Sequence, residues 1–403
     1  MLSELAPTRA RREELYRHFH RHPELSMREY ATARRIEAEL NDAGITPRRV
    51  GATGVVAVLE NGPGPVVAVR ADIDGLPMAE ESGKEYSSQA TQTDAAGRTV
   101  PVAHTCGHDL HLVSLLSALQ FFHSRRDRWQ GTFVGVFQPG EETAAGARDL
   151  LARGLADLIP RPDVYLGQHV LSSVPGGAVA TRPGPVLSAG GSIQVTVHGE
   201  GGHGAMPERT VDPVVLAAAI VLRLQTVVSR EVAADQTAVL TVGALRAGSK
   251  SNIIPDRAEL LINLRAYDEG VKRVMAEAVE RIVRAECAAS RSPREPEFEY
   301  YDDFPLTDND AGVTARVRAA FERYFGDHAT ELAPVPASED FSVIPDALRV
   351  PYCFWGLGGF ADQDSAPGNH HPAFAPDLQP TLDRGVEAIV VAAGAWLVHP
   401  AAR

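Results

Sequence analysis

Two kinds of secondary-structure pattern alternate along this chain, and their order most strongly limits how it can fold. Short apolar runs bounded by glycine and proline predict buried strands at residues 55–59, 65–70, 131–138 and 163–170, and a helix is predicted at 110–122. Buried strands that alternate with helices are typical of a sheet with helices on both of its faces. We therefore predict an α/β fold for this part of the chain.

The pattern changes in the middle of the chain. Alternation of polar and apolar residues predicts strands at 190–198, 238–245 and 257–267, and two longer stretches predict helices at 212–229 and 269–289. An order of strand, helix, two strands and helix is typical of a compact α+β domain. We therefore predict an α+β insert within the α/β fold.

Proline-rich joints mark the ends of the insert. They lie at 183–185 and 292–296, and such segments are common between domains. The predicted domains are a first α/β segment at 1–184, the insert at 185–296 and a second α/β segment at 297–403. Two domains also agree with the length of 403 residues, which exceeds what one core usually organises.

Composition excludes several classes of partner. The formal net charge of -13 disfavours nucleic acid and anionic membranes. The apolar run at 214–222 is shorter than the roughly 20 residues that a bilayer requires. No apolar signal core follows Met1, so we expect a cytoplasmic protein. Three cysteines far apart are not typical of a disulfide framework.

The first candidate for chemistry is a cysteine and a histidine two residues apart. Cys106 and His108 flank Gly107, which gives the backbone freedom to turn both side chains towards one cation. The alternative interpretation is a simple turn with Asp109 as the N-cap of the following helix. Taken alone, the motif favours neither.

The second candidate is a pair of adjacent carboxylates, Glu141 and Glu142, after a predicted strand. Loops at the carboxyl ends of strands are where α/β sheets bind ligands. One carboxylate can bind a metal while the other transfers protons. An exposed acidic turn is the alternative, and it would be favoured for the pair in isolation.

Two histidines complete the set. His169 ends a predicted strand, and His370 lies in a loop near the C-terminus. Each alone is more typical of a core or surface histidine. Together with Cys106, His108 and Glu142, however, they supply donors that Zn, Mn, Co and Ni accept. Five donors exceed the three that an open catalytic zinc site normally uses, which favours two divalent metal ions with a shared ligand.

The order of the motifs resembles that of M20-type metallopeptidases. The resemblance is to the amidohydrolase branch, which contains hippurate hydrolases, N-acyl-amino-acid deacylases and auxin-conjugate hydrolases. The matching motifs are HRHPELS at 20–26, TGVVA at 53–57, RADIDGLP at 70–77, HTCGHD at 104–109, QPGEE at 138–142, GGHGAMP at 201–207, SNIIPD at 251–256, SEDF at 338–341 and HHP at 370–372. The chain departs from the family at Gln168 and Asn369, where leucine is common.

The resemblance implies a fold and a metal site. It implies an α/β catalytic domain with a zinc-peptidase-like mixed sheet and an inserted α+β lid and dimerisation domain. Two divalent ions, Zn, Mn, Co or Ni, would be bound by Cys106, His108, Glu142, His169 and His370. His370 is favoured over His371 because it lies two residues before Pro372, as the family's ligand does.

The resemblance also implies roles in catalysis. Glu141 would be the general base that deprotonates the attacking water and protonates the leaving amine. Asp74 would orient a histidine ligand, and His203 would stabilise the developing oxyanion. Asn252 and Arg265 would hold the carboxylate of the substrate.

The function implied is hydrolysis of the amide bond in N-acyl-L-amino acids, such as hippurate-like or N-acetyl conjugates. The partners implied are this small substrate and other copies of the chain, in a homodimer or higher homo-oligomer formed through the lid. The nearer alternative is a dipeptidase or aminopeptidase of the same type. An alternative of another class is a metal-dependent binding protein without catalysis, although the complete ligand set and Glu141 favour an enzyme.

Overall fold

Two compact units make up the chain. The computed structural model describes residues 2–398. The first unit comprises the residues up to Val186, Asp308–Pro334 and the residues from Asp340 onward, and the second comprises Leu187–Thr307 and Val335–Glu339. The second unit is therefore an insertion into the first, with one short additional segment.

Helices and strands alternate along most of the chain. The helices are α1 (Arg9–Arg21), α2 (Tyr30–Asp42), α3 (His108–Ser124), α4 (Gly146–Ala152), α5 (Leu155–Leu158), α6 (Pro213–Arg230), α7 (Glu269–Ala289), α8 (Ala311–Phe325), α9 (Val343–Leu348) and α10 (Leu378–Leu397). The strands are β1 (Pro47–Val50), β2 (Gly54–Asn61), β3 (Val66–Asp72), β4 (Thr91–Thr93), β5 (Thr99–Pro101), β6 (Gly131–Gln138), β7 (Val164–Pro175), β8 (Val179–Thr181), β9 (Gly184–Leu187), β10 (Ala189–His198), β11 (Gly202–His203), β12 (Ala238–Ala247), β13 (Ile253–Ile254), β14 (Arg257–Ala266), β15 (Glu297–Phe304), β16 (Thr307–Asn309), β17 (Ala329–Glu331) and β18 (Tyr352–Phe360).

A mixed sheet organises the first unit, which confirms the predicted α/β fold class. Its strand order is β1-β2-β6-β3-β7-β18-β8-β17. The neighbours β6, β3, β7 and β18 are parallel to one another, whereas β2 runs antiparallel to both β1 and β6. The carboxyl ends of four parallel strands therefore meet at one edge, which is where sheets of this kind bind ligands.

Continuous apolar sequence explains the central strands and the helix that packs on them. Six of the seven residues of β3 are buried, because both faces of a central parallel strand are covered. Helix α3 is buried around most of its circumference and packs against β3 and α10. A helix that is apolar on all sides belongs in a core. His108 is the first residue of α3 and is therefore buried with it.

The second unit is an antiparallel sheet with two helices on one face. Its strand order is β12-β14-β10-β15. Alternate residues of β14 are buried under α6 and α7, which is the period of two expected for a sheet with one covered face. This unit extends past the predicted boundary at residue 296, because β15 pairs with β10 over its length. The acidic residues of β15 and the lack of a buried face hid its strand character in the sequence.

Helix α6 contains the apolar run at 214–222. By length and composition alone this helix is long and apolar enough to cross a membrane. That is weak evidence, since the core helix of a soluble protein passes the same test. Leu216, Ile220 and Leu224 of α6 lie in the core of the second unit.

Candidate active site

The ends of the parallel strands carry the acidic residues of the site. Asp72 is the last residue of β3, and Asp74 follows two residues later. Glu141 and Glu142 lie in a short 3-10 turn that follows β6, and His169 lies on β7. Strand β7 continues to Pro175, past the end predicted for it. The polar residues that the sequence analysis placed at strand ends are thus assembled from neighbouring strands of one sheet.

A tight turn presents Cys106 and His108. Gly107 adopts a left-handed conformation with φ of 84°, and a Cβ atom there would lie 2.3 Å from Cγ1 of Val170. Only glycine therefore adopts this backbone conformation without strain and also leaves room for the Val170 side chain. Because Gly107 turns the chain, α3 begins at His108, and Asp109 lies inside the helix instead of capping it.

Ligand atoms of the five predicted metal-binding residues converge. In the group formed by Cys106, His108 and His169, all ligand atoms lie within 4.8 Å of one another. The same is true of the group formed by Cys106, Glu142 and His370. Cys106 belongs to both groups, so the two sets of donors meet at its sulfur.

His108 is oriented by a buried carboxylate. Its Nδ1 lies 3.1 Å from Oδ1 of Asp74, so Nδ1 carries a proton and the lone pair of the neutral ring is on Nε2. The other oxygen of Asp74 accepts hydrogen bonds from the Ser26 hydroxyl at 2.7 Å and from the Glu142 backbone N–H at 3.1 Å. Asp74 therefore holds His108 and the Glu142 turn in one arrangement.

Two buried polar atoms of this site fit a cation. Among the described residues, Nε2 of His108 and Oε1 of Glu142 have no hydrogen-bond partner although both are buried. They lie 3.7 Å apart. A buried lone pair without a partner is costly, and a metal ion supplies a partner to both atoms at once. The donor set therefore fits a divalent metal.

His169 presents a lone pair in the same way, and the ring of His370 faces the carboxylate of Glu142. Nδ1 of His169 donates to the Val170 carbonyl at 2.9 Å, and its Nε2 lies 3.5 Å from Sγ of Cys106. Nε2 of His370 lies 3.2 Å from Oε2 of Glu142. His371, in contrast, accepts a hydrogen bond from the Ala373 backbone N–H. The structure thus brings His370 to the site and turns His371 back onto its own loop.

The charge balance of the site also favours a cation. Burial raises the pKa of the Cys106 thiol, and the Glu142 carboxylate beside it raises the pKa further. A thiolate at this position is therefore stable only with positive charge close to it. A divalent ion supplies that charge and deprotonates a coordinating thiol.

His111 resembles a ligand but its hydrogen bonds exclude that role. With Asp72 and His169 it forms another group of potential ligand atoms. Its Nδ1 lies 2.6 Å from Oδ1 of Asp72, however, and its Nε2 accepts the Val170 backbone N–H at 2.9 Å. Both ring nitrogens are thus engaged, and His111 links Asp72 to the strand that carries His169.

Glu141 is buried beside the ligands. Its Oε2 lies 3.8 Å from Nε2 of His108, and with His108 and Glu142 it forms a group of ligand atoms within 4.8 Å. Both glutamates approach Nε2 of His108, and Glu142 also approaches His370.

Glu29 supports this turn and was missed in the sequence analysis. Its carboxylate accepts hydrogen bonds from the backbone N–H of Gly140 at 2.9 Å and from the Thr53 hydroxyl at 2.7 Å. Gly140 has φ of 60°, and a Cβ atom there would lie 2.4 Å from Sδ of Met27. The segment that follows Pro23 thus packs directly beneath the turn of Glu141 and Glu142.

A buried arginine network lies behind the site and was also missed. The Arg70 guanidinium donates to Asp72 at 2.6 Å, to Asp340 at 3.0 Å and to Gln138 at 3.0 Å. Burial raises the pKa of Asp340 to about 6, and the charge of Arg70 opposes this rise. Arg70 and Asp72 are two residues apart on β3 and therefore share one face of the strand. This spacing was the only local sequence signal for the ion pair.

The second unit contains the other predicted site residues. His203 on β11 pairs with Ile253 on β13, and the Gly204 backbone N–H donates to the Asn252 carbonyl, so His203 and Asn252 are neighbours. Nδ1 of His203 accepts the Ala205 backbone N–H at 3.0 Å, which leaves the exposed Nε2 as a donor. Arg265 on β14 is half-buried.

Arg265 bonds to neutral groups. It donates to the Asn263 side chain at 3.1 Å, the Pro336 carbonyl at 2.8 Å and the Ser338 hydroxyl at 3.1 Å. Burial lowers the pKa of Arg265. A partly desolvated guanidinium held by neutral acceptors keeps its affinity for an anion.

Comparison with known proteins decides the family. Residues 68–393 match the family described as Peptidase family M20/M25/M40. The chain belongs to this family. It is therefore a hydrolase, and the resemblance to M20 enzymes that the motifs indicated is confirmed.

Two relatives and one solved structure illustrate this membership. The chain is 31% identical to an N-acetylcysteine deacetylase of Bacillus subtilis over 93% of this chain and 92% of that protein. It is 35% identical to an N-acyl-L-amino acid amidohydrolase of Geobacillus stearothermophilus over 70% of this chain and 74% of that protein. A Bacillus subtilis structure described as a dinuclear metal-binding M20 peptidase matches 96% of this chain and 98% of its own, with a TM-score of 0.77 and 26% identity.

His20, the first residue of the motif at 20–26, is buried and carries a positive charge. Nδ1 of His20 lies 2.7 Å from Asp109 and its Nε2 lies 3.0 Å from Glu80. Burial opposes the charged ring, but the two carboxylates outweigh it and raise the pKa of His20 to about 9. The charged form is therefore favoured in the folded protein at neutral pH.

This ion pair predicts a loss of stability at alkaline pH. The unfolded pKa of histidine is about 6.5, so the stabilisation is complete below that pH and disappears as pH rises to about 9. We expect the free energy of unfolding to fall by roughly 3 kcal/mol across this range. Urea titrations from pH 6 to 9 would measure it, with His20→Gln expected to flatten the profile and His22→Gln to preserve it. A wild-type profile without this decline would contradict the prediction.

Proposed function

We propose that this M20 protein is a metal-dependent amidohydrolase that hydrolyses the amide bond of N-acyl-L-amino acids. The observation that carries the proposal is the convergence of Cys106, His108, Glu142, His169 and His370 next to the buried carboxylate of Glu141. The relatives that act on N-acetylcysteine and N-acyl-L-amino acids support this class of substrate.

The five ligands would hold two divalent ions, which are Zn, Mn, Co or Ni. Support comes from the two donor groups that meet at Cys106 and from the dinuclear M20 relative. When bound, such ions act as Lewis acids that polarise the amide carbonyl and acidify water. The residues around them supply orientation and proton transfer.

Glu141 is the general base and acid. Its carboxylate lies 3.8 Å from the lone pair of His108, at the place where ligands and substrate would meet. It accepts a proton from the attacking water and donates the same proton to the leaving nitrogen. Glu142, whose carboxylate oxygens approach both His108 and His370, would be engaged as a metal ligand and so would not be available for this transfer.

Asp74 positions the site without touching the substrate. By accepting from Nδ1 of His108 it fixes the tautomer that presents Nε2, and by accepting from the Glu142 backbone it holds the second ligand.

The second unit would supply substrate recognition. His203, a donor through Nε2, would stabilise the oxyanion that develops on the carbonyl. Arg265 and Asn252 would bind the substrate carboxylate. The hydrogen-bond partners of Arg265 support this role. All three are neutral, so they do not compensate the positive charge of the guanidinium.

A substrate panel tests this proposal. The protein would be reconstituted with Mn, Co, Zn or Ni and assayed with amides that vary the acyl group and the amino acid separately, and with free dipeptides. We expect turnover of N-acyl amino acids and little turnover of dipeptides with a free amino terminus. Faster hydrolysis of the dipeptides would favour a peptidase, and metal binding without any turnover would favour a binding protein.

We also propose that the protein is a homo-oligomer formed through the second unit. Helix α6 exposes Val215 and Leu222, seven residues apart on one face, with 66% and 73% of their surfaces accessible. Strand β12 is an edge of its sheet and exposes Val239 and Leu245. A second copy would cover these apolar groups and pair with the open edge.

A charge on α6 should therefore weaken self-association. Leu222→Glu is expected to shift the protein to monomers in analytical ultracentrifugation, because the carboxylate would be buried between copies. Tyr324→Glu, which changes another exposed apolar side chain on α8, serves as the control and should leave the assembly unchanged. A wild-type protein that is monomeric at all concentrations would contradict the proposal.

A further inference from the structure

The side-chain amide of Asn369 faces the sulfur of Cys106. Its Nδ2 lies 3.7 Å from Cys106 Sγ, 3.4 Å from the Cys106 carbonyl and 3.1 Å from the Val170 carbonyl. All three are acceptors when the sulfur is a thiolate. The nitrogen of the amide, not its oxygen, must therefore point towards them.

The loop that carries Asn369 is hydrogen-bonded both to the segment of Cys106 and to the strand of His169. The next residue, His370, has φ of 66°, and its backbone N–H donates to the Thr105 carbonyl at 2.8 Å. The Val170 carbonyl that Asn369 contacts also accepts Nδ1 of His169. Asn369 thus connects three ligand-bearing segments, and Cys106 is the only ligand whose donor atom it contacts among the described residues.

We infer that Asn369 is a positioning residue that donates an N–H···S hydrogen bond to the Cys106 thiolate and sets how strongly this sulfur binds a divalent ion. The inference rests on the proposed function, in which Cys106 is a ligand. A hydrogen bond to a thiolate stabilises its negative charge, which favours the metal-binding form of the sulfur, and it fixes the direction of the lone pairs. Partners of this kind commonly change metal affinity by about 10–100-fold when they are removed.

The same contact has a spectroscopic signature. A thiolate bound to Co(II) gives a near-ultraviolet band in which an electron moves from sulfur to metal. The hydrogen bond stabilises the sulfur lone pair and so raises the energy of this band. Loss of the hydrogen bond should therefore move the band to longer wavelength, which mere loosening of the loop would not do.

The experiment is a titration of metal-free full-length protein with Co²⁺. Asn369→Leu keeps the size of the side chain and removes the donor, and Asn369→Ala is a second variant with the same loss. Gln363→Leu is the matched control, because Gln363 lies in the same connection and, within residues 2–398, its side chain donates only to the Ser172 carbonyl. Band position and the dissociation constant, from chelator competition, are measured for each.

We expect both Asn369 variants to move the band to longer wavelength and to raise the Co²⁺ dissociation constant by about 10–100-fold, with no change for Gln363→Leu. Weaker Co²⁺ binding with an unchanged band position would show that Asn369 only stabilises the loop, and it would overturn the inference. An unchanged band position together with an unchanged dissociation constant would also overturn it. Absence of the band from the wild-type protein at saturating Co²⁺ would remove Cys106 from the ligands, and with it the proposed metal site itself.

Discussion

Replacing Glu141 by glutamine is expected to remove nearly all turnover while the bound metal stays in place. Glutamine keeps the shape of the side chain but cannot accept and return a proton, so kcat should fall by about 10²–10⁴-fold, the range of general acid–base catalysis. KM should change little, because the substrate would be held by other groups. Steady-state kinetics on the substrate identified by the panel, together with elemental analysis, measure both quantities.

The adjacent residue provides the control. Glu142→Gln makes the same chemical change one position along the chain, but it removes a proposed metal ligand whose Oε2 lies 3.2 Å from His370. It should therefore lower the metal content as well as the rate. If Glu141→Gln kept a near-normal kcat, or lost metal as Glu142→Gln does, the assignment of Glu141 as the base would be wrong.

The second large effect is expected from Arg70, which acts on stability. Arg70→Met would leave Asp72 and Asp340 as buried carboxylates without their cation. Removal of one partner from a buried ion pair typically costs about 3–5 kcal/mol. Denaturant unfolding at neutral pH measures this loss. The deficit should shrink at lower pH, because protonation of Asp340 removes the uncompensated charge.

An exposed arginine tests whether burial causes the effect. Arg98 pairs with Asp94 at 2.7 Å, yet 75% of its side chain is accessible to solvent. Arg98→Met should cost far less stability than Arg70→Met, because water solvates the carboxylate that remains. An equal loss in the two variants would contradict the proposed role of the buried network.

Local chemistry explains why the sequence alone suggests the proposed ligands. Cys106 and His108 are two residues apart with a glycine between them, and Glu141 follows Gly140 at the end of a strand. These donors are unusual side chains in short patterns, so their spacing carries information without the fold. The periodicity of β14 and the continuous apolar sequence of β3 are local in the same way, which is why the fold class was predictable.

Partners that lie far apart in the chain were not predictable. Arg70 and Asp340 are separated by 270 residues, and Glu29 reaches Gly140 across 111 residues. A buried carboxylate in isolation has the same sequence signal as an exposed one. Only the packing of the segments decides which it is.

Two departures from the family motif show the same distinction. Gln168 and Asn369 are both amides that precede a histidine proposed as a ligand. On β7, however, Gln168 points to the opposite face from His169, and a Cβ atom on Gly385 of α10 would lie 3.3 Å from its Nε2. Asn369 instead faces Cys106.

The sequence by itself therefore determined the order of elements, the donor atoms and the family to which the chain belongs. The tertiary structure decided which lone pairs those donors present, because Asp74 and the Val170 carbonyl select the tautomers of His108 and His169. It also decided that His111 is not a ligand. The physical reason is that a side chain's chemistry belongs to its residue, whereas its hydrogen-bond partners depend on which distant segments pack beside it.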